Sequence, residues 1–275
     1  MIRDLTEAAR ILTPPKTVLF DWHATLVDTL DAMYTAVDEM LPRLPELGLV
    51  DQLASPTRSR SAEDARLVEY VRDHGRLHPK IKAERRISRT DIFEILFGGD
   101  EDVKHVAHEA FNDAYRRHYG DVRPFEGKEL ELLKELREFD VKIGVLTNRD
   151  REFFETELAA VEDGAWLGLF DVTVCGSDTF RRKPNPEPIL RALDLLHQPA
   201  GLDCWYLGDS STDVTCSCRA GVSPVFFNGA GWPDAWLNKV FPGTPGHPHQ
   251  PAAIVDSFAE FRWLFEECLS IGHDH

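Results

Sequence analysis

The sequence predicts an α/β fold: a parallel sheet with helices on both faces, interrupted after its first strand by an inserted helical segment. Two observations carry this. Short apolar β-prone runs alternate with helical stretches from about residue 125 onward, the rhythm of strand–helix–strand units. The interval 31–123 breaks that rhythm, with helical periodicity and no convincing strand.

The first run, "TVLF" (17–20), ends at Asp21, as a buried parallel strand does when it delivers a residue to a sheet edge. "VKIGVLTN" (141–148), "FDVTVCG" (170–176), "CWYLGD" (204–209) and "SPVFFN" (223–228) repeat the pattern. Helices are expected over "GKELELLKELREF" (127–139), "REFFETELAAV" (151–161), "PEPILRALDLL" (186–196) and "STDVTCSCRA" (211–220). In the inserted interval "DAMYTAVDEML" (31–41), "SAEDARLVEYVRDHG" (61–75) and "DVKHVAHEAFNDAYRRHYG" (102–120) read as helices, and Pro124 and Gly127 in "RPFEG" punctuate the return. The domain boundaries are therefore set at 1–30 with 124–275 for the sheet unit and 31–123 for the insertion. Ligands of open α/β sheets collect at the carboxyl ends of the strands. Asp21, Thr147, Asn148 and Asp209 each stand at such an end and converge although far apart in sequence.

The chain has 275 residues, enough to bury a full core, and its 43% hydrophobic and 28% charged residues are ordinary for a globular protein. Its net charge of -16 argues against a nucleic-acid backbone or an anionic membrane surface as partner. An anionic substrate would need local attraction from metal ions, Lys or Arg, or backbone N–H groups. No stretch reaches the roughly 18 apolar residues of a membrane span. The start, "MIRDLTEAARILTPPKT", carries acids where a secretory signal would be basic, and reads as a short lead-in. Five cysteines without a CxxC motif point to reduced thiols and a cytoplasmic location. Cys216 and Cys218 in "TCSCRAG" read as small helical core residues before they read as metal ligands.

Four segments in order, "DWHAT" with "LVDT" (21–29), "VLTNRD" (145–150), "RRKPNPEPI" (181–189) and "LGDSSTD" (207–213), resemble the motifs of the haloacid dehalogenase (HAD) superfamily, in particular its phosphatase-like members with a helical cap of the C1 type. The resemblance spans about residues 16–265 and implies a Rossmann-like core with a cap, and Mg²⁺-dependent hydrolysis of a small phosphorylated metabolite. It implies Asp21 as nucleophile forming an aspartyl phosphate, with Thr147 and Lys183 against the phosphoryl oxygens and Asn148 and Arg149 as substrate contacts. It implies Mg²⁺ held by the Asp21 carboxylate, the main-chain carbonyl of His23 and Asp209, with Asp213 beside the same ion. Each residue also has a plainer reading: Asp21 as a turn residue, "GDSSTD" as a helix N-cap, Lys183 as a solvated charge.

The chain departs from the family pattern at two positions. His23 replaces the usual second Asp, where it is expected to act as general acid and base, and Ala24 replaces the usual Gly. The alternatives are a catalytically weak phosphoryl-binding protein and a C–P bond hydrolase like the phosphonoacetaldehyde hydrolases, which share a Trp after the nucleophile and use a cap lysine as Schiff base. Lys80 and Lys82 are the candidates for that lysine. With His78, Arg85, Arg86 and Arg89 they make the inserted segment locally basic. The Pro- and Trp-rich segment 231–251 reads as an extra lip or an oligomer contact.

Overall fold

A computed structural model describes residues 3–84, 87–118 and 122–272. The chain forms two compact units, Met1–Asp28 with Val122–His275, and Thr29–Asp121.

The first unit is built on β1 (Thr17–Phe20), β2 (Val27–Asp28), β3 (Arg123–Pro124), β4 (Lys142–Leu146), β5 (Val172–Val174), β6 (Cys204–Gly208), β7 (Ser223–Phe227) and β8 (Ala253–Val255). Six of these make one sheet in the order β5-β4-β1-β6-β7-β8, every neighbouring pair parallel. β1 sits in the middle, with the chain winding outward through β4 and β5 on one side and through β6, β7 and β8 on the other. The order reverses at β1, so a crevice opens at its carboxyl end between β4 and β6. Phe20 lies level with Val145 and Leu207 across that junction, and the residues that follow enter the crevice together.

Both faces of the sheet are buried, which is why its strands read as apolar runs. Val18, Phe20, Ile143, Val145, Trp205 and Leu207 point to one face, where the helices Leu5–Ile11, Glu129–Glu138 and Phe258–Gly272 cover them with Ala8, Leu133, Phe261 and Phe265. Leu19, Leu146, Cys204 and Tyr206 point to the other, against Ile189 and Leu193 of Glu187–Leu195 and Cys216 of Ser211–Ala220. The N-terminal stretch is thus a packed helix, capped by the Asp4 carboxylate, and not merely a lead-in. Segment 231–251 contributes the helix Asp234–Val240, whose Leu237 packs with Phe241, Phe226 and Ile254. β8 and the C-terminal helix are absent from the expected elements. So is the antiparallel pair of β2 with β3, where Arg123 bonds Asp28 at 2.7 Å.

The second unit is helical, with Leu30–Met40, Ala62–His74, Pro79–Glu84, Arg89–Phe97 and Glu101–Tyr115, and no strand among its described residues. Apolar residues at helical spacing explain the packing of Leu30–Met40 on Glu101–Tyr115: Met33, Val37 and Met40 are buried on the first, Ala107, Phe111 and Ala114 on the second.

After β1 the backbone turns sharply. The Ala24 N–H donates to the Val27 carbonyl at 2.8 Å and the Val27 N–H to that of Trp22 at 2.9 Å. This turn holds Ala24 at φ 58°, a left-handed conformation that a Cβ disfavours. Ala24→Gly is expected to stabilise the protein by about 0.5–1 kcal/mol, the relief of that strain less the added freedom of the unfolded chain, as measured by urea unfolding.

Candidate active site

The carboxyl ends of β1 and β6 bring three acids together: one carboxylate oxygen from each of Asp21, Asp209 and Asp213 lies within 4.8 Å of the others, and among the described residues no further group of this kind is found. Asp21 follows β1 directly and is anchored by its N–H, which donates to Leu207 O at 2.8 Å. Asp213 comes from the first turn of the helix Ser211–Ala220, where its Oδ2 accepts from Ser210 N at 3.0 Å and Ser210 Oγ at 2.6 Å. The plain reading of "GDSSTD" as an N-cap therefore holds, and the cap is what aims the acid. Gly208, the last residue of β6, makes room for it, since a Cβ there would lie 2.5 Å from the Asp213 carboxyl carbon.

Lys183 closes the cluster. Its Nζ donates to Asp21 Oδ1 at 2.8 Å and Asp213 Oδ1 at 2.7 Å, and also contacts the Tyr206 hydroxyl at 2.7 Å and the Leu146 carbonyl at 3.3 Å. It is a buried ion-paired group and not a solvated charge. Asn148 fixes the peptide that carries it: Asn148 Nδ2 donates to Lys183 O at 3.0 Å, and Lys183 N donates to Asn148 Oδ1 at 2.9 Å. Asn148, expected to contact substrate, thus spends its amide on the chain itself. Tyr206 was not among the expected site residues. Its only sequence signal is a hydroxyl within an apolar strand, two residues before the Gly-Asp of "LGDSSTD".

Burial raises the Asp21 carboxyl, the Lys183 ammonium opposes the rise and Asp213 adds to it, so that Asp21 is pushed up to about 6. Burial works to lower the Lys183 ammonium, but the two carboxylates outweigh it and hold the group above its usual range. Burial, then Asp213 and Asp21, push the Tyr206 phenol well above its usual range, so it stays a neutral hydroxyl. Three carboxylates gather where one ammonium pairs with two of them, an excess of acidic groups within the cluster. That excess and an all-oxygen donor set fit a hard divalent cation.

Thr147 lies at the end of β4 with its Oγ1 accepting from Arg149 N at 3.1 Å, which leaves its hydroxyl hydrogen to donate elsewhere. Arg149, the other expected substrate contact, is buried. Its Nη1 lies 3.2 Å from Glu157 Oε1 and its Nη2 lies 3.0 Å from His23 Nδ1. Glu157 Oε2 in turn accepts from Trp22 Nε1 at 2.8 Å.

Within the helical unit Lys82 is paired with Asp38, and Lys80 lies 3.6 Å from Glu84. An ammonium held against a carboxylate gives no support to a Schiff-base role. Arg89 is buried with its guanidinium 4.6 Å from the centre of the Phe111 ring, so the basic stretch is not one exposed face; Arg85 and Arg86 lie outside the described residues. All five cysteines are free, and burial pushes Cys175, Cys204, Cys216 and Cys268 up to about 12. Cys216 and Cys218 turn to different carbonyls, those of Asn185 and Gln250, and do not form a shared site. No helix of the described residues is long and apolar enough to cross a membrane.

A parallel α/β sheet thus carries three acids and a buried lysine at its central crevice. The chain belongs to the haloacid dehalogenase-like hydrolase family, whose profile matches residues 18–227. It is 30% identical to a phosphoglycolate phosphatase of Rhodospirillum rubrum over 94% of this chain and 90% of that one, and 26% identical to a phosphoglycolate phosphatase of Pseudomonas savastanoi over 94% and 81%. Its fold is similar to that of a HAD family hydrolase from Deinococcus radiodurans solved with bound phosphate and sodium, with a TM-score of 0.51 and 20% identity over 93% of this chain and 97% of that one.

Two outcomes follow from this geometry. Gly208→Ala forces Asp213 from its place and is expected to lower stability by about 1–3 kcal/mol in urea unfolding. Asp21→Asn acts the other way in the metal-free protein. A carboxyl whose folded pKa lies above its unfolded value takes up protons on folding, so its cost appears as pH rises through about 6. The variant should be more stable than the parent by about 2 kcal/mol at pH 8, with the gain vanishing toward pH 4.

Proposed function

We propose that this protein is a Mg²⁺-dependent phosphatase of small anionic phosphate monoesters, working through an aspartyl phosphate on Asp21. The observation that carries the reading is the cluster itself: a buried ammonium clasped by Asp21 and Asp213, with an Asp209 oxygen close enough to both acids to share a cation with them. The phosphoglycolate phosphatases among its relatives support phosphoglycolate as the first compound to try. The free, buried thiols support a reducing, cytoplasmic setting.

Asp21, Asp209 and the His23 carbonyl would hold Mg²⁺, which when bound offsets the repulsion between phosphate and carboxylate. Asp213 has both oxygens engaged by Ser210, Lys183 and Tyr206, so we assign it to holding Lys183 and steadying the ion site from behind. In the first step an Asp21 oxygen attacks phosphorus, the P–O bond to the alcohol breaks, and the alcohol oxygen takes a proton from solvent water as it leaves. Water then attacks the phosphorus of the aspartyl phosphate, releasing inorganic phosphate and restoring the carboxylate. Lys183 holds one Asp21 oxygen in place, and the Thr147 hydroxyl, its acceptor side occupied, donates to the phosphoryl group. Asn148 serves the reaction by positioning Lys183.

A panel of phosphate monoesters including 2-phosphoglycolate, assayed for inorganic phosphate, should show turnover that EDTA abolishes and Mg²⁺ restores. Asp21→Asn should lower it by about 10³-fold or more. Turnover that survives either the chelator or the substitution would overturn the reading.

A further inference from the structure

The two residues after the candidate nucleophile, Trp22 and His23, are both tied to one buried ion pair. Trp22 is fully buried, edge-on to Phe154 and Trp166 with ring centres 5.0 Å and 5.8 Å away, and its indole N–H donates to Glu157 Oε2. The other Glu157 oxygen faces Arg149 Nη1 at 3.2 Å, and Arg149 Nη2 reaches His23 Nδ1 at 3.0 Å. Glu157 is 2% exposed and Arg149 4%, so the chain of contacts from Trp22 to His23 runs through the interior. Breaking such a pair strands a charge, which gives it a single arrangement. The Arg149 backbone is fixed as well: its N–H donates to Thr147 Oγ1 at 3.1 Å and its carbonyl accepts from Gly176 N at 2.7 Å.

A guanidinium only donates hydrogen bonds. At 3.0 Å from Nη2, His23 Nδ1 can complete this hydrogen bond only through its lone pair, which would place a ring proton on Nε2. A proton on Nδ1 would set donor against donor and break the contact. We propose that Arg149, braced by Glu157, is a positioning residue that locks His23 as the neutral Nε2–H tautomer, so that His23 serves the site as a hydrogen-bond donor and not as a free proton acceptor. The functional half of this rests on the phosphatase reading: a donor suits the oxygen of a phosphoryl group or of the departing alcohol. Arg149 then acts through His23, without touching substrate.

The tautomer can be read without turnover. In the ¹⁵N-labelled, metal-free protein at pH 8, with His23 assigned by the signal lost in His23→Gln, long-range ¹H–¹⁵N correlation should give a pyrrole-like Nε2 and a pyridine-like Nδ1. Arg149→Met should move both nitrogens toward the averaged values of an unconstrained ring, and Glu157→Gln should do so in part. With 2-phosphoglycolate or another ester that proves to be a substrate, Arg149→Met should lower kcat by about 10²-fold with KM changed little. An Nδ1–H or averaged ring in the parent protein overturns the proposal, and this holds even if a variant fails to fold. A signature unchanged in Arg149→Met removes Arg149 from the role, and an unchanged kcat removes the catalytic half. Failure of every phosphate ester to react would sink the phosphatase reading while leaving the tautomer to be judged by its spectrum.

Discussion

A buried ammonium between two carboxylates is the interaction on which the rest of the site depends. Lys183 lies deep at the carboxyl edge of the sheet, 2.8 Å from Asp21 and 2.7 Å from Asp213. Taking any one of these charges out of water alone would cost several kcal/mol, and together they offset one another only because the geometry is fixed from outside the cluster. Asn148 grips the Lys183 peptide, Ser210 grips Asp213, and the parallel pairing of β1 with β6 places Asp21 beside both. Asp209 brings a third carboxylate oxygen to within 4.8 Å of those of Asp21 and Asp213. A cluster of oxygen donors with more acids than cations is one that a divalent ion fits.

The same geometry accounts for the small residues around it. Gly208 ends β6 without a side chain because the Asp213 carboxylate occupies the space a Cβ would take. Ala24 keeps a left-handed turn at some cost in strain, which ties the backbone of residues 22–27 into a compact loop beside Asp21.

Much of this was legible in the sequence. The five runs ending at Phe20, Leu146, Val174, Gly208 and Phe227 are strands, because both sheet faces are covered and their residues had to be apolar throughout. Order and type single out Asp21, Thr147, Lys183, Asp209 and Asp213, and the fold brings Asp21, Asp209, Asp213 and Lys183 together. What was hidden depends on partners remote in sequence. Tyr206 looks like one more core aromatic until Lys183 arrives against its hydroxyl. The resemblance implies Arg149 and Asn148 as substrate contacts, and each also has a partner within the protein, Glu157 in the next helix and the peptide of Lys183, that no sequence motif announces. β8 is three residues long and follows a Pro-rich segment, too short for a period to register.

Lys183 neutralises carboxylates that would otherwise repel one another in the interior. The decisive measurement is urea unfolding of metal-free Lys183→Met at pH 5 and pH 8. Without the lysine the acids should bind protons more tightly in the folded protein than in the unfolded chain, so stability falls as pH rises. The expected loss relative to the parent is about 3–5 kcal/mol at pH 8 and markedly smaller at pH 5. An equal loss at both pH values would show that Lys183 is held for its packing and not for its charge.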